Sequence, residues 1–592
     1  MNRTTLARRF APLVALAAVQ LLIIAVVPSK APTTSIAAAN GTGGVYGGGT
    51  AVDDSVDSGG EAVATVPGET EGGTVAGPTS GPASATGSAG RTTTGGRPKA
   101  ADVKPGDVTH CANGRQFDAR IDYQAPPCLP KFGGDNGGAT YMGVTKDTIK
   151  IVDYYDRGND AVNEILKAAG SYVSVDQLQA YDKAAAKFIN DHFETYGRRV
   201  EIKIVQGTCQ SIPPDVPCLR KEFDDIIAAE KPFAIKWDTS LCSACYDEIS
   251  QKKVINVGGY QFREGFGKGH RPYHWDTFMT GTNMMRHFAQ WYCANLAGKP
   301  AKWGGTQNPV GEVNGKPRLL GVIATNDPEN QGAVTELAGF LKEDCKVDIN
   351  ATYFYAQDIT TAETQRVAGV TAMRRGKAGE STTVLCFCDE VAPQFLFEEE
   401  QQQNYYPENV IIGSQSMDLD RVGQSYGPDD GGPSLACPSP QVGCEYDLVV
   451  GLAQQPQPQD KEGGDVGARV WKAGGGQGAP PFVSVSRTWD HLSILAHLIQ
   501  AAGPNLTPAN AEAGIFKEPA RGGNNPAQPL RFFAPGNYGW TQDMVTVYWS
   551  KSKPSPFNGK PGRYFTVGPR VKTGEWKPIA AIDGIPADPN AR

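Results

Sequence analysis

Absences narrow the reading first. The seven histidines include no H-E-x-x-H, so a metalloprotease-type zinc helix has no support. There is no G-x-S-x-G and no Walker A pattern, and "NDPENQGA" (326–333) lacks the glycine-rich loop that cradles phosphates. The formal net charge is −7, with no basic footprint for nucleic acid. From Pro32 to Pro105 there is hardly an aromatic; Gly, Thr, Ser, Ala and Pro dominate. Such a composition buries too little apolar surface to offset the entropy of ordering, so this stretch reads as a flexible tether. No cysteine precedes Cys111, which excludes a lipid-modified cysteine just after the N-terminal apolar run. No catalytic constellation and no cofactor site emerge, so an enzyme is not the expectation.

That apolar run is Ala11–Val27, preceded by Arg3, Arg8 and Arg9. A basic flank followed by an apolar stretch is the pattern of export. Its 17 residues are long for a signal-peptide core and short for a spanning helix. Residues 1–31 are therefore a cleaved signal or a retained membrane anchor, and an extracytoplasmic location is expected either way. Twelve cysteines follow, all between Cys111 and Cys444. An even number in an exported chain points to disulfides. Cys111/Cys128 and Cys437/Cys444 read as local staples; Cys293 and Cys345 lie in different elements and could join them. Cys386 and Cys388 share one strand face, where a mutual disulfide would be strained. With Cys242 and Cys245 they also allow a C-x2-C…C-x-C zinc site to be drawn, although no metal is expected. His491 and His497, six apart on one helix, read as structural.

From Thr148 onward, short β-branched runs alternate with segments of helical period. "IKIVDYY" (149–155), "VEIKIV" (200–205), "FAIKW" (233–237) and "VINVGG" (254–259) read as strands. "LQAYDKAAAKFINDH" (178–192), "LRKEFDDIIAAE" (219–230) and "CYDEISQKK" (245–253) read as the helices between them. The order restarts with "RLLGVIAT" (318–325), "DINATYFYA" (348–356), "TTVLCFC" (382–388) and "NVIIGS" (409–414), again with helices between. This βαβα order predicts an α/β protein of two Rossmann-like lobes, each a parallel sheet flanked by helices. Ligands bind beyond the carboxyl ends of such strands. The loops to watch are Tyr154–Arg157, Asp238–Cys242, Gly258–Gln261, Asn326–Gln331, Asp389–Val391 and Ser414–Met417. Asp389 also suits the N-cap of a helix over "VAPQFLFEEE" (391–400), with Pro393 early in it.

Several segments, in order, resemble the type I periplasmic solute-binding proteins, in the branch that includes the leucine/isoleucine/valine-binding proteins. They are "GVTKDTIKIVDYYD", "PFAIKWDTSLCSACYDEISQKKVINVGG", "GVIATNDPENQGAVTELAGFLKE", "TTVLCFCDEVAPQFLFEEEQQQNYYPENVIIGSQSMD" and "FFAPGNYGWTQDMVTVYW". The resemblance implies a three-crossing hinge that closes two lobes over a small ligand, an amino acid, amide or related polar solute, for ABC-type import. A membrane-anchored module that signals to a membrane partner is the alternative. The implied organisation is a stapled lead-in over 106–140, a first lobe from 141–278 with 447–535, a second from 279–446 with 536–570, and a tail over 571–592. Crossings are placed near His274–Gly281, Tyr446–Gly451 and Phe532–Thr541. The resemblance also implies a bridge from Cys209 to the loop at Cys242. It carries ligand roles to Tyr154, Tyr155, Asp238, Thr239, Ser240, Gly259, Tyr260, Asn330, Asp389 and Gln415. Two positions depart from the family pattern. Asp238 places an acid where an anionic ligand group would sit, and Gln415 is neutral where an ammonium partner is expected, a role Asp389 could take.

Overall fold

Parallel strands covered on both faces are buried at nearly every position, and this fixes where two sheets form. In the computed structural model, Leu320–Thr325 is buried at all six positions and Thr383–Phe387 at all five. The structure describes residues 106–168, 172–237, 242–304, 313–426, 450–458 and 465–585. The apolar run, the tether, Cys437, Cys444 and much of the 423–481 insertion lie outside them.

The first sheet has the order β2-β1-β3-β4-β5. Its strands are β1 Thr148–Tyr155, β2 Arg199–Gln206, β3 Ala234–Trp237, β4 Ile255–Val257 and β5 His274–Trp275. All of its pairings are parallel. The second sheet comprises β6 Leu320–Thr325, β7 Ala351–Tyr355, β8 Thr383–Phe387, β9 Glu408–Ile411, β10 Val450–Ala453, β11 Asp543–Pro554 and β12 Pro561–Lys572. Its order is β12-β11-β10-β9-β8-β6-β7, parallel from β7 to β10 and antiparallel across β10-β11-β12. Each parallel set therefore reads 2-1-3-4-5 within its lobe, a doubly wound order with a switch point beside its first strand.

Local chemistry sets the helix ends. Ser174 and Gln177 form a reciprocal capping box for Val175–His192. Asp327 caps Pro328–Cys345, with proline at the first helical position. Helix Val485–Ala502 is buried almost all round and packs into the first lobe's core with Trp275, Phe188 and Ile255. The lead-in joins this core through Phe117 and through Asp122, which accepts from Trp489 Nε1 at 2.8 Å.

The three crossings lie side by side. Asp276 N donates to Tyr538 O at 2.8 Å, and Trp540 N donates to Phe278 O at 3.0 Å. Met279 N donates to Gln454 Oε1 at 3.0 Å. A Cβ at Gly539 would lie 2.7 Å from Thr280 N, so this close approach requires glycine.

Several boundaries differ from the sequence reading. β10 pairs with β9 and β11, so the second crossing follows Ala453 rather than lying at 446–451. Within the expected tail over 571–592, the described residues to Ile585 pack onto the second lobe: β12 runs to Lys572, and Ile582 and Ile585 enter its core. The sequence also gave no sign of β12, whose two-residue periodicity is broken by Gly562, Gly568 and Pro569.

The sulfurs pair as Cys111–Cys128, Cys209–Cys218, Cys242–Cys245, Cys293–Cys345 and Cys386–Cys388. The implied Cys209 bridge to the Cys242 loop is thus replaced by two local ones. Cys218 sits one turn into the helix beside the Cys209 loop, within reach of the nearer partner. Cys386 and Cys388 pair with each other despite sharing a strand face, because the chain already leaves the strand at Cys388. The drawn zinc set is consumed by these bridges. Cys293–Cys345 links helices Gly281–Asn295 and Pro328–Cys345 across the face of the second sheet.

Candidate functional site

The carboxyl ends of the strands face a cleft of about 300 Å³, lined from both lobes. Asp156 and Gly158 follow β1, Gln357 follows β7, and Asp389 and Glu390 follow β8. Tyr260 and Arg487 come from the first lobe, and Tyr353, Tyr355, Phe395 and Leu396 from the second. Aromatic and aliphatic groups therefore dominate the walls. The guanidinium of Arg487 lies 5.4 Å from the centre of the Tyr260 ring, a cation–π distance, and Tyr260 stacks on Phe278 at 4.8 Å.

A second chamber of about 200 Å³ adjoins the first and shares Asp156, Asn163, Glu390 and Arg487 with it. Its walls mix polar groups with Val173, Leu178, Trp237 and Phe482. Lys236 Nζ lies 2.8 Å from Asp153 Oδ2, both side chains being almost fully buried. Behind them, burial and the neighbouring Asp153 carboxylate push Asp182 well above the usual carboxylate range, against the pull of Lys236.

The sequence-derived residues divide sharply. Tyr260, Asp389 and Gln415 line the first chamber, and Tyr154 and Tyr155 the second. Asp389 is there too, although the helix begins later than expected, at Ala392, with Val391 as its N-cap and no side-chain cap bond: Asp389 Oδ1 accepts from the backbone N–H of Val391 at 2.8 Å and Ala392 at 2.9 Å. Oδ2 accepts from Tyr355 Oη at 2.7 Å and Gln357 Nε2 at 3.0 Å. Both oxygens are engaged, which leaves the acid poorly placed as an ammonium partner. Gln415 holds a left-handed backbone, φ +42°, a strained state for a non-glycine residue that concentrates at ligand-contacting loops. Tyr154 donates to the Glu222 carboxylate, and burial together with that carboxylate pushes its phenol up. Tyr155 Oη donates to Val173 O at 2.7 Å.

Gly259 and Asn330 line neither chamber. A Cβ at Gly259 would lie 2.7 Å from His274, so the residue serves packing. Asn330 is buried and donates to Thr325 Oγ1 at 2.5 Å, tying its helix to β6. Asp238, Thr239 and Ser240 lie outside the described residues.

Arg487, Phe395, Tyr353 and Asn163 escaped the sequence reading. Phe395 and Leu396 follow Asp389 closely enough for the watched loop to have pointed to them. Arg487 sits on a helix whose apolar content signals only core. His270 and His274 stand four apart, a ligand spacing absent from the sequence-level reading. His270 Nε2 pairs with Asp247 at 2.8 Å and His274 Nδ1 with Asn256 at 2.6 Å. No cluster of three metal-capable side chains occurs among the described residues, and no helix among them is long and apolar enough to cross a membrane.

No family model matches the chain, and no curated protein does. Similar solved structures exist. One is a possible leucine/isoleucine/valine-binding protein from Rhodopirellula baltica, with 9% identity and a TM-score of 0.47, covering 71% of this chain and 96% of that one. Another is an ABC-transporter solute-binding protein from Rhodopseudomonas palustris in complex with p-hydroxybenzoic acid, with 12% identity and a TM-score of 0.47, covering 74% and 100%. A third is a fatty acid ABC transporter substrate-binding protein from Thermomonospora curvata, with 14% identity and a TM-score of 0.47, covering 73% and 95%. Two Rossmann-like lobes, three adjacent crossings and a cleft between strand ends form the arrangement that a resemblance to type I periplasmic binding proteins implies.

Proposed function

We propose that this chain is an extracytoplasmic solute-binding protein that closes two lobes over a small molecule and presents it to an ABC-type permease. One observation carries the reading: a cleft of about 300 Å³ whose walls come from both lobes. That volume falls in the range of small-molecule sites. A ligand that touches both walls binds the closed form better than the open one, and this difference in affinity is what drives closure. The walls favour a ligand with an apolar or aromatic body and a few polar groups, since aromatic and aliphatic side chains supply most of the lining.

A thermal-shift screen of the full chain against aromatic acids and amides, short fatty acids, amino acids and sugars tests the proposal. A bound solute should raise the melting temperature and reduce the radius of gyration in small-angle scattering. Chemical turnover of a solute, or a screen in which no solute compacts the protein, would sink it.

A further inference from the structure

The first chamber carries more negative than positive charge. Asp156, Asp358, Asp389 and Glu390 line it against Arg366 and Arg487. The Arg366 guanidinium is itself met by two carboxylates, Nη2 to Glu363 Oε1 at 2.6 Å and Nη1 to Glu398 Oε2 at 2.6 Å. Arg487 lies over the Tyr260 ring. An anionic ligand would face this surplus of acid, and a cation would be drawn by it.

The acids offer charge more than they offer lone pairs. Asp389 accepts two hydrogen bonds on each oxygen. Asp358 Oδ1 accepts from Thr360 N at 2.9 Å and Thr360 Oγ1 at 2.7 Å, and Asp156 Oδ2 accepts from Trp237 Nε1 at 3.0 Å. An ammonium with three N–H donors would find its acceptors largely occupied. A cation without such donors needs only the field of the carboxylates and an aromatic face to lie against. Tyr353 and Phe395, both half-buried, line the chamber from the second lobe. Neither ring packs on another aromatic ring among the described residues. The Gln415 carboxamide lines the same space without a hydrogen-bond partner among the described residues, and it offers one donor side and one acceptor side to a polar substituent.

We propose that the ligand is a small aromatic cation of the N-alkylpyridinium type, with no N–H on its charged centre and one amide-like substituent. The flat ring lies against Tyr353 and Phe395, its charge is balanced by the surrounding acids, and the substituent meets Gln415. This rests on the solute-binding reading above and narrows its ligand class.

Isothermal titration of the full chain with two isosteres tests the inference: nicotinamide methylated on its ring nitrogen, a permanent cation, and meta-toluamide, its neutral carbon counterpart. The cation should bind about tenfold tighter, the size of a cation–π contact sheltered from water. Tyr353→Leu keeps apolar bulk and removes a ring, so it should lower that ratio severalfold; Phe395→Leu supplies the same comparison should Tyr353→Leu fold poorly. Asp358→Asn retains an acceptor for Thr360 and removes a charge, and it too should lower the ratio, as should added salt. A ratio near one in the parent protein, a ratio that neither ring variant lowers, or no binding of the cation overturns the inference. The solute-binding reading survives each of these results as long as another solute compacts the protein.

Discussion

The two lobes share one strand order and differ in what braces them. The first lobe buries ionic groups beneath its sheet's carboxyl edge, where Lys236 and Asp153 pair with Asp182 behind them. It closes its bridges locally, over sequence separations of 17, 9 and 3. The second lobe keeps its buried pair, Arg318–Glu408, at the far end of the sheet, where Glu408 opens β9. It also fastens two helices to each other by a bridge of separation 52. Both lobes bring charge to the cleft, Asp153, Asp156, Lys236 and Arg487 from the first and Asp358, Arg366, Asp389, Glu390 and Arg421 from the second, while the apolar wall belongs mainly to the second.

The largest expected effect breaks this contrast at its buried pairs. Lys236→Met leaves Asp153 buried without its cation, and Arg318→Met does the same to Glu408. Each should cost about 3–5 kcal/mol in urea unfolding. Only Lys236→Met should also disturb ligand binding; equal binding losses in both variants would erase the division of labour. The bridges come next. A long closed loop restricts the unfolded chain more than a short one, so Cys293→Ser with Cys345→Ser should cost about 2–4 kcal/mol. The corresponding change at Cys242 and Cys245 should cost less. Thermal unfolding of the two double variants decides, and the reverse order would refute the loop argument.

A third test concerns pH and lies at the crossings. Burial raises Asp418 to about 7, while one of its oxygens accepts from Gln454 N and Gln455 N. Because the folded value exceeds the unfolded one, the native state holds this proton more tightly. The resulting stabilisation is complete below about pH 4 and is lost as pH rises towards 7. Asp418→Asn should flatten that slope by up to about 1 kcal/mol per pH unit, as measured by denaturant midpoints across the window. An unchanged slope would assign the pH dependence elsewhere.

The smallest effect is at the cleft's rim. Arg263 of the first lobe pairs with Glu329 of the second through Nη2–Oε1 at 3.0 Å and Nε–Oε2 at 3.1 Å. The arginine is partly exposed, so Arg263→Ala should shift the balance between open and closed forms by less than about 1 kcal/mol. The readout is a slightly larger ligand-free radius of gyration.

The sequence carried the strand–helix alternation because parallel strands buried on both faces leave unbroken apolar runs such as "LLGVIAT". It also carried the loops after β1, β8 and β9, since those positions follow from alternation alone. Arg487 stayed hidden because its contact with Tyr260 spans more than 200 residues of the chain, and its own helix advertises only burial. Asn330 and Gly259 line neither chamber for a related reason: a polar or small residue after a strand can serve packing as readily as a ligand, and only three-dimensional contacts separate the two. The Cys209 pairing failed because spacing does not say which of two nearby sulfurs a loop will reach.

Backbone hydrogen bonds lace the first and third crossings together, the Gln454 side chain ties in the second, and Gly539 is pressed against Thr280. Like a door hung on several pins along one post, such a joint permits swinging about a single line and resists sliding or twisting off it. Under the proposed closure, a guest would come and go by the edge farthest from the post, and the depth from that edge to the pins would set the longest guest.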